Sequence, residues 1–305
     1  MQKPFLSIVI CTYNGELFLK EQLISLLGQT YTAFEIIAID DCSTDSSFNI
    51  LKEFSQNIKL KVYRNENNIG LNRNFQLAIQ KAKGDYIALC DQDDIWEPEK
   101  LEIMVNQIDG SLLYFHDSVL IDHNGSSLFI KQSDRFHLIS NPNPLSFIPQ
   151  NCVTGHACMF DRHLMNYPIF PFPEHIYYDN WLGYVSSLYG RIHYIDQCLV
   201  RYRVHKTNLS VSHKKKNKLD ENLLMVCYNQ LDDFYKFTPE NIPFKTFLRR
   251  LRDTYESHYF LSSIYRIFLF LQHCKTLTAF RKKNIFRKLL FCFKMSYKPL
   301  PNYFK

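Results

Sequence analysis

Strand-like and helix-like segments alternate through the first 120 residues, and this alternation restricts the fold more than any other feature. FLSIVIC (5–11), FEIIAID (34–40), KLKVYR (59–64) and Tyr86–Cys90 are short apolar or alternating runs of strand type. Between them, Glu16–Leu27 places Leu19, Leu23, Leu26 and Leu27 at helical spacing. Thr44–Phe54 and Leu71–Lys83 do likewise, the latter with Phe75, Ala78, Ile79 and Ala82 on one face. The pattern predicts an α/β class: a Rossmann-like, mostly parallel central sheet with helices on both faces. A hydrophobic content of 46% supports a core of that size. Such sheets bind ligands beyond the carboxyl ends of their strands.

Polar groups gather at three of those ends. Thr12-Tyr13-Asn14 follows the first strand, Asp40-Asp41 closes the second, and Asp91, Asp93 and Asp94 follow the fourth. Three carboxylates in four residues repel, which raises at least one pKa unless a cation neutralises them. Mg²⁺ or Mn²⁺ prefers carboxylate oxygens and keeps positions open for phosphate. The Asp-x-Asp spacing sets two carboxylates on one side of an extended backbone. From these residues alone the alternative is an acidic turn capping a helix that starts near Pro98. The convergence of three separate segments on one edge favours a ligand site.

After residue 112 the pattern changes. LLYFHDSVLID and SSLFIK flank Asn124-Gly125, a hairpin signal. VTGHACMF (153–160) is a further apolar segment, Asn180–Leu188 reads as a helix closed by Gly190, and RIHYID and LVRYRVH read as two short strands. A polar linker over 211–222 then precedes a helical remainder. The expected organisation is an α/β domain over 1–210, the linker, and a basic, aromatic-rich helical extension over 223–305. Nine scattered Cys form no CxxC pair and read as reduced. Phe5–Cys11 is too short for a signal peptide. Tyr259–Leu271 is too short to span a bilayer and is interrupted by Arg266. The expectation is a cytoplasmic protein.

The motifs SIVICTYNGELFLKEQLISLLGQTY (7–31), EIIAIDDCSTDSS (35–47), NNIGLNRNFQLAIQKAKGDYIALCDQDDIW (67–96), NCVTGHACMF (151–160) and YYDNWL (177–182) together resemble the family 2 glycosyltransferases of GT-A fold. The likeness covers roughly residues 5–205. LCDQDDIW is similar to the bacterial rhamnosyltransferase-like, cell-surface polysaccharide subgroup. One departure is Cys42, which stands where the family's DDGSTD has glycine.

The resemblance implies an inverting, metal-dependent enzyme moving sugar from a UDP-, dTDP- or GDP-sugar to a glycan or lipid-linked acceptor such as lipopolysaccharide or capsule. It implies that Asp40 or Asp41 bonds the base or ribose, and that Thr12, Tyr13 and Asn14 pack against the base. Asp93 would hold Mn²⁺ or Mg²⁺, with Asp91 helping through ribose or metal-bound water and His205 reaching the metal or diphosphate. Asp179 would be the catalytic base; Gly155 and His156 would line the acceptor side. Arg73 and Asn74 would touch the nucleotide. As bare sequence, each has a plainer reading: a cap with Ser43 for Asp40-Asp41, a helix cap for Asp179, and a surface histidine for His205. For Arg73-Asn74 it is a solvated helix face, and for Gly155-His156 a packed strand. A sugar-nucleotide nucleotidyltransferase would want a basic phosphate loop after the first strand, where this chain has CTYNGE. A non-catalytic sugar-nucleotide-binding protein would not need Asp91, Asp93 and Asp179.

Charge is unevenly placed. From Lys245 onward there are 14 Lys and Arg against only Asp253 and Glu256, while the preceding 244 residues hold 22 basic and 28 acidic groups. No nucleic-acid recognition module is visible, and the main domain is acidic. Phe244, Phe247, Leu248, Leu251, Tyr255 and Tyr259 recur at helical spacing, and FRKKNIFRKLLFCFK (280–294) mixes Phe and Leu with six Lys and Arg. These segments suit either peripheral contact with the anionic inner face of the cytoplasmic membrane or packing on the catalytic domain.

Overall fold

The computed structural model describes residues 3–56, 58–205, 221–256 and 260–297. Nine strands form one sheet: β1 (Leu6–Thr12), β2 (Phe34–Asp40), β3 (Leu60–Arg64), β4 (Tyr86–Cys90), β5 (Ile95–Trp96), β6 (Leu113–Ile121), β7 (Ser127–Lys131), β8 (Cys158–Asp161) and β9 (Ile192–Arg203). Their order is β3-β2-β1-β4-β8-β6-β9-β5, with β7 paired to β6. The expected parallel arrangement holds for β3-β2-β1-β4 and for β6-β9. β8, β5 and β7 run antiparallel to their neighbours, so the second half of the sheet is mixed. There the helical crossovers that enforce parallel pairing give way to short turns and a hairpin.

Alternation along β1 divides the core. Leu6, Ile8 and Ile10 face α1 (Glu16–Leu27) and α4 (Lys100–Asn106), packing with Leu19, Leu23, Leu26, Leu101 and Met104. Val9 and Cys11 face the other way, toward Phe75, Ala78 and Ile79 of α3 (Leu71–Lys81) and Trp181 and Leu182 of α6 (Tyr178–Tyr189). Full burial of a leucine of this kind contributes about 1.5–3 kcal/mol. The remaining helices are α2 (Ser47–Phe54), α5 (Gln132–Arg135), α7 (Glu221–Phe237), α8 (Lys245–Glu256), α9 (Phe260–Gln272), α10 (Cys274–Leu277) and α11 (Ile285–Tyr297).

Several boundaries differ from expectation. The two strands expected in RIHYID and LVRYRVH are one strand, β9, kept continuous by register shifts between Ile195 and Val200. The helix expected at Asn180 starts two residues earlier, with Tyr177 as its N-cap residue, so Asp179 lies inside the first turn. The linker expected at 211–222 lies outside the described residues except for its last two, which begin α7. The apolar stripe of Phe247, Leu248, Leu251 and Tyr255 on α8 is buried in the same cluster as Trp181 and Phe234. That stripe therefore packs inward with α6 and α7. All nine cysteines are free, and no described helix is long and apolar enough to cross a membrane.

Candidate active site

The carboxyl ends of β1, β2 and β4 bring the first three polar segments together. Thr12 Oγ1 donates to Asp40 Oδ1 (3.1 Å), and the Tyr13 N–H donates to Gln92 Oε1 (2.9 Å). Gln92 thus ties the β1 loop to the acidic loop, and the Tyr13 ring is left half exposed. Asn14 adopts a positive φ, and its side-chain oxygen accepts from the Thr44 N–H. Asp40 is fully buried; it accepts from the Ser43 N–H and hydroxyl and lies 3.3 Å from Arg64 Nε. Asp41 accepts from Asn65 Nδ2 and from the N–H groups of Ile69 and Gly70. Both acids therefore shape loops at the edge, and Asp41 fixes the start of α3. Cys42 sits at φ 60°. It adopts the left-handed backbone for which glycine is favoured, so the turn persists despite the substitution. On α3, Arg73 is exposed, whereas Asn74 is buried and donates to Ile39 O.

The acids after β4 divide by depth. Asp93 lies between the other two, less exposed than Asp91, with its Oδ2 2.8 Å from His205 Nε2. Asp91 is partly exposed and accepts from the Tyr178 hydroxyl (3.1 Å). Asp94 is fully buried: one oxygen accepts from the Arg203 N–H, and the other has no hydrogen-bond partner. Burial, then the charges of Asp93 and Asp91, push the Asp94 carboxyl well above the ordinary carboxylate range. His156 lies beneath the acids rather than on an open face. Its Nδ1 is 3.7 Å from Asp91 and 3.6 Å from Asp94, its Nε2 is 2.9 Å from Ser118 Oγ, and its ring stacks on Tyr202. Ligand atoms of Asp91, Asp94 and His156 lie within 4.8 Å of one another, close enough to share a cation.

Positive groups close this cluster from behind. The buried Lys100 ammonium donates to His156 O (2.7 Å) and sits 3.3 Å over the Trp96 ring; burial lowers its pKa to about 7. The buried Arg203 guanidinium reaches Asp93 O, His123 O and the Glu21 carboxylate.

Asp179 faces the same edge from α6. Its Oδ1 accepts from the Asn180 N–H (2.6 Å) and its Oδ2 from the Gly155 N–H (3.2 Å). Burial pushes its carboxyl up to about 7, and the Asp91 charge adds to the rise against the two amide bonds. The neighbouring Tyr178 ring stacks on Phe75 at 3.9 Å between centroids. A Cβ on Gly155 would lie 2.0 Å from the Tyr178 hydroxyl, so only glycine permits this approach.

Sequence reasoning did not single out Asn72, Tyr178, Lys100 or Arg203. Asn72 donates to Pro173 O and Ile176 O and accepts from the Tyr178 N–H, so it sets the entry to α6. Tyr178 stands beside Asp179 in YYDNWL, and that adjacency was the available signal. Lys100 and Arg203 carry none, because each bonds groups distant in sequence.

The family model for glycosyl transferase family 2 matches residues 7–167. An uncharacterised glycosyltransferase of Methanocaldococcus jannaschii is 31% identical over 232 residues, covering 72% of this chain and 77% of its own. The teichuronic acid biosynthesis glycosyltransferase TuaG of Bacillus subtilis is 34% identical over 101 residues, covering 33% of this chain and 40% of its own. Among solved structures, S. aureus TarS in complex with UDP-GlcNAc superposes with a TM-score of 0.62 at 17% identity, over 98% of this chain and 89% of that one. The mannosyltransferase PcManGT of Pyrobaculum calidifontis, bound to GDP-Man and Mn²⁺, superposes with a TM-score of 0.56 at 15% identity, over 97% and 88%. The structures share the fold; with the matched motifs and the relatives, the chain belongs to glycosyl transferase family 2.

Proposed function

We propose that this glycosyltransferase moves a sugar from a nucleotide-diphosphate donor to a glycan or lipid-linked acceptor in cell-surface polysaccharide synthesis, inverting the anomeric carbon. The observation that carries the reading is the Asp179 carboxylate, held by two amides on the same edge as the acid cluster with its pKa near 7. A base works best when its pKa lies near the working pH. Asp179 takes the proton of the acceptor hydroxyl as that oxygen displaces the diphosphate in one step. Gly155 and Asn180 hold the carboxylate, and Tyr178 fixes Asp91 beside it.

The donor set fits a hard divalent cation, Mn²⁺ or Mg²⁺. Three carboxylates crowd one loop, and the buried Asp94 Oδ2 has no hydrogen-bond partner. A cation that also meets phosphate needs open positions, so we assign it to the rim formed by Asp91, the most exposed of the acids, with Asp93 and its partner His205. Asp94 and His156, whose ligand atoms lie within 4.8 Å of that of Asp91, can share the cation from the buried side. When bound, the cation neutralises charge gained by the departing diphosphate. The base and ribose take the edge formed by Thr12, Tyr13, Asn14, Asp40, Asp41, Arg73 and Asn74, of which Tyr13, Asn14 and Arg73 are exposed. TuaG and the fold neighbours, by their names and ligands, favour a surface polysaccharide and a nucleotide sugar. A lipid-linked acceptor such as a lipopolysaccharide or capsule precursor places the enzyme peripherally on the cytoplasmic face of a membrane.

Thermal unfolding with a panel of UDP-, dTDP- and GDP-sugars, with Mn²⁺ or with EDTA, tests the donor class. Stabilisation by at least one donor, lost in EDTA, is expected. No stabilisation by any nucleotide sugar would refute the reading.

A further inference from the structure

The helical extension carries a surface that glycosyl transfer does not use. On α9, Leu261, Ile264, Tyr265, Phe268 and Leu271 are exposed. Their spacing of three and four residues puts them on one helical face. The one charged side chain of that helix points the other way. Arg266 is buried, donates to Thr254 and to Ser296 O, and lies 3.8 Å over the Tyr255 ring, tying α8, α9 and α11 together. On α11, Ile285, Phe286, Leu289, Leu290 and Phe293 are exposed, while Phe291, Cys292 and Met295 are buried. α9 and α11 pack on each other, so these outward faces are neighbours. An amphipathic helix of a globular domain normally turns its apolar side inward. Here the core is already filled, and a second apolar face looks outward on both helices.

The charge of the same region points to what covers it. Residues 260–297 contain no Asp or Glu, and their basic residues are Arg266, Lys275, Arg281, Lys282, Lys283, Arg287, Lys288 and Lys294. Lys282 and Lys283 precede α11 and are exposed; Arg287 and Lys294, also exposed, fall along one edge of its apolar face. Neighbouring exposed apolar faces on two helices whose charged residues are all cations are complementary to the boundary between anionic headgroups and acyl chains. Transmembrane insertion is not required, since neither helix is long enough to span.

We infer that the exposed face of α9 and α11 docks the enzyme in plane on an anionic bilayer, with Phe268 and Phe286 entering the acyl boundary and the cations of α11 meeting lipid phosphates. Of the two segments the sequence suggested, 280–294 supplies the α11 part of this surface, whereas the apolar stripe of α8 is buried. The inference rests on the proposed lipid-linked acceptor for its purpose but not for its geometry.

The test is co-sedimentation of the full chain with phosphatidylglycerol-containing vesicles and with pure phosphatidylcholine vesicles, at low and high salt. Phe268→Glu/Phe286→Glu and Arg287→Glu/Lys294→Glu variants run in parallel, with light scattering for oligomeric state. Wild type should bind the anionic vesicles at low salt. Each double variant should lose at least about tenfold in partitioning, the Phe pair by placing charge at the acyl boundary and the basic pair by reversing two headgroup contacts. Donor-induced thermal stabilisation should be unchanged in both, which also shows that they fold. Wild type ignoring anionic vesicles, or the variants binding as well as wild type, would overturn the inference. So would a wild-type oligomer that the Phe variants break without any vesicle binding, because the face would then join copies of the chain. Loss of donor-induced stabilisation in wild type itself would strike the transfer reading and leave vesicle binding to be judged separately.

Discussion

Replacing Asp179 by Asn should destroy turnover and, at the same time, reverse sign in its effect on stability as pH rises. The Asp179 carboxyl is pushed from an ordinary 3.8 to about 7, chiefly by burial. Each pKa unit is worth roughly 1.4 kcal/mol, so ionised Asp179 costs the folded state about 4 kcal/mol relative to the unfolded chain. The sign follows from linkage: with a raised folded pKa, the stabilising share is fully present below the unfolded value and is lost as pH climbs from 3.8 through about 7. Asn never ionises and escapes this cost. It also has one acceptor oxygen where Asp179 uses two, so the Gly155 N–H, the longer of the two bonds, faces an amide nitrogen. An unmade buried bond costs about 1–3 kcal/mol. Asp179→Asn should therefore be less stable than wild type near pH ~4 and more stable near pH ~8. At about 2 °C per kcal/mol, the difference in Tm should swing by roughly 8 °C across that range. The assay is parallel thermal unfolding of both proteins in EDTA without donor, with transfer measured alongside and expected to fall about 10²-fold or more. A constant Tm offset across the range would refute the perturbed pKa, and a turnover loss of less than about tenfold would remove Asp179 as the base.

Asp93→Ala should abolish donor-induced, Mn²⁺-dependent stabilisation while leaving the Tm of the free protein unchanged; a wild-type donor response would move the cation away from the rim. Gly155→Ala should destabilise by about 1–3 kcal/mol and cut turnover, because the new Cβ meets the Tyr178 hydroxyl that holds Asp91; an unchanged melt would show that Tyr178 moves freely. Cys42→Gly should leave activity intact and raise stability by up to about 1 kcal/mol, relieving a left-handed backbone costing roughly 1–2 kcal/mol; a lower Tm would show that the thiol matters more than the strain.

How much of this was legible in the sequence depended on range. The first four strands and their helices follow from local period and turn residues, as Leu6, Ile8 and Ile10 on one face and Val9 and Cys11 on the other illustrate. The acid cluster and Tyr13 sit at ends that the alternation already located, whereas Asp179, in the first turn of α6, was reached only through the resemblance carried by YYDNWL. What the sequence hid was long-range pairing. β9 reads as two strands because its interruption near Asp196 resembles a turn, yet β6 pairs along both parts. Lys100 and Arg203 become site residues only once folding brings His156, Glu21 and Asp93 to them. The extension shows the same limit. Its apolar and basic composition was plain, but which apolar face is buried depended on Arg266 turning inward to bind Thr254 and Ser296.

The most direct measurement of the central claim is release of nucleoside diphosphate from UDP-, dTDP- and GDP-sugars by the purified full chain, with Mn²⁺ or Mg²⁺ and with EDTA. Wild type should consume at least one donor in a metal-dependent way, and both EDTA and Asp93→Ala should stop it. Equal release in EDTA, or no donor consumed under any condition, would contradict a metal-dependent transferase built on this edge.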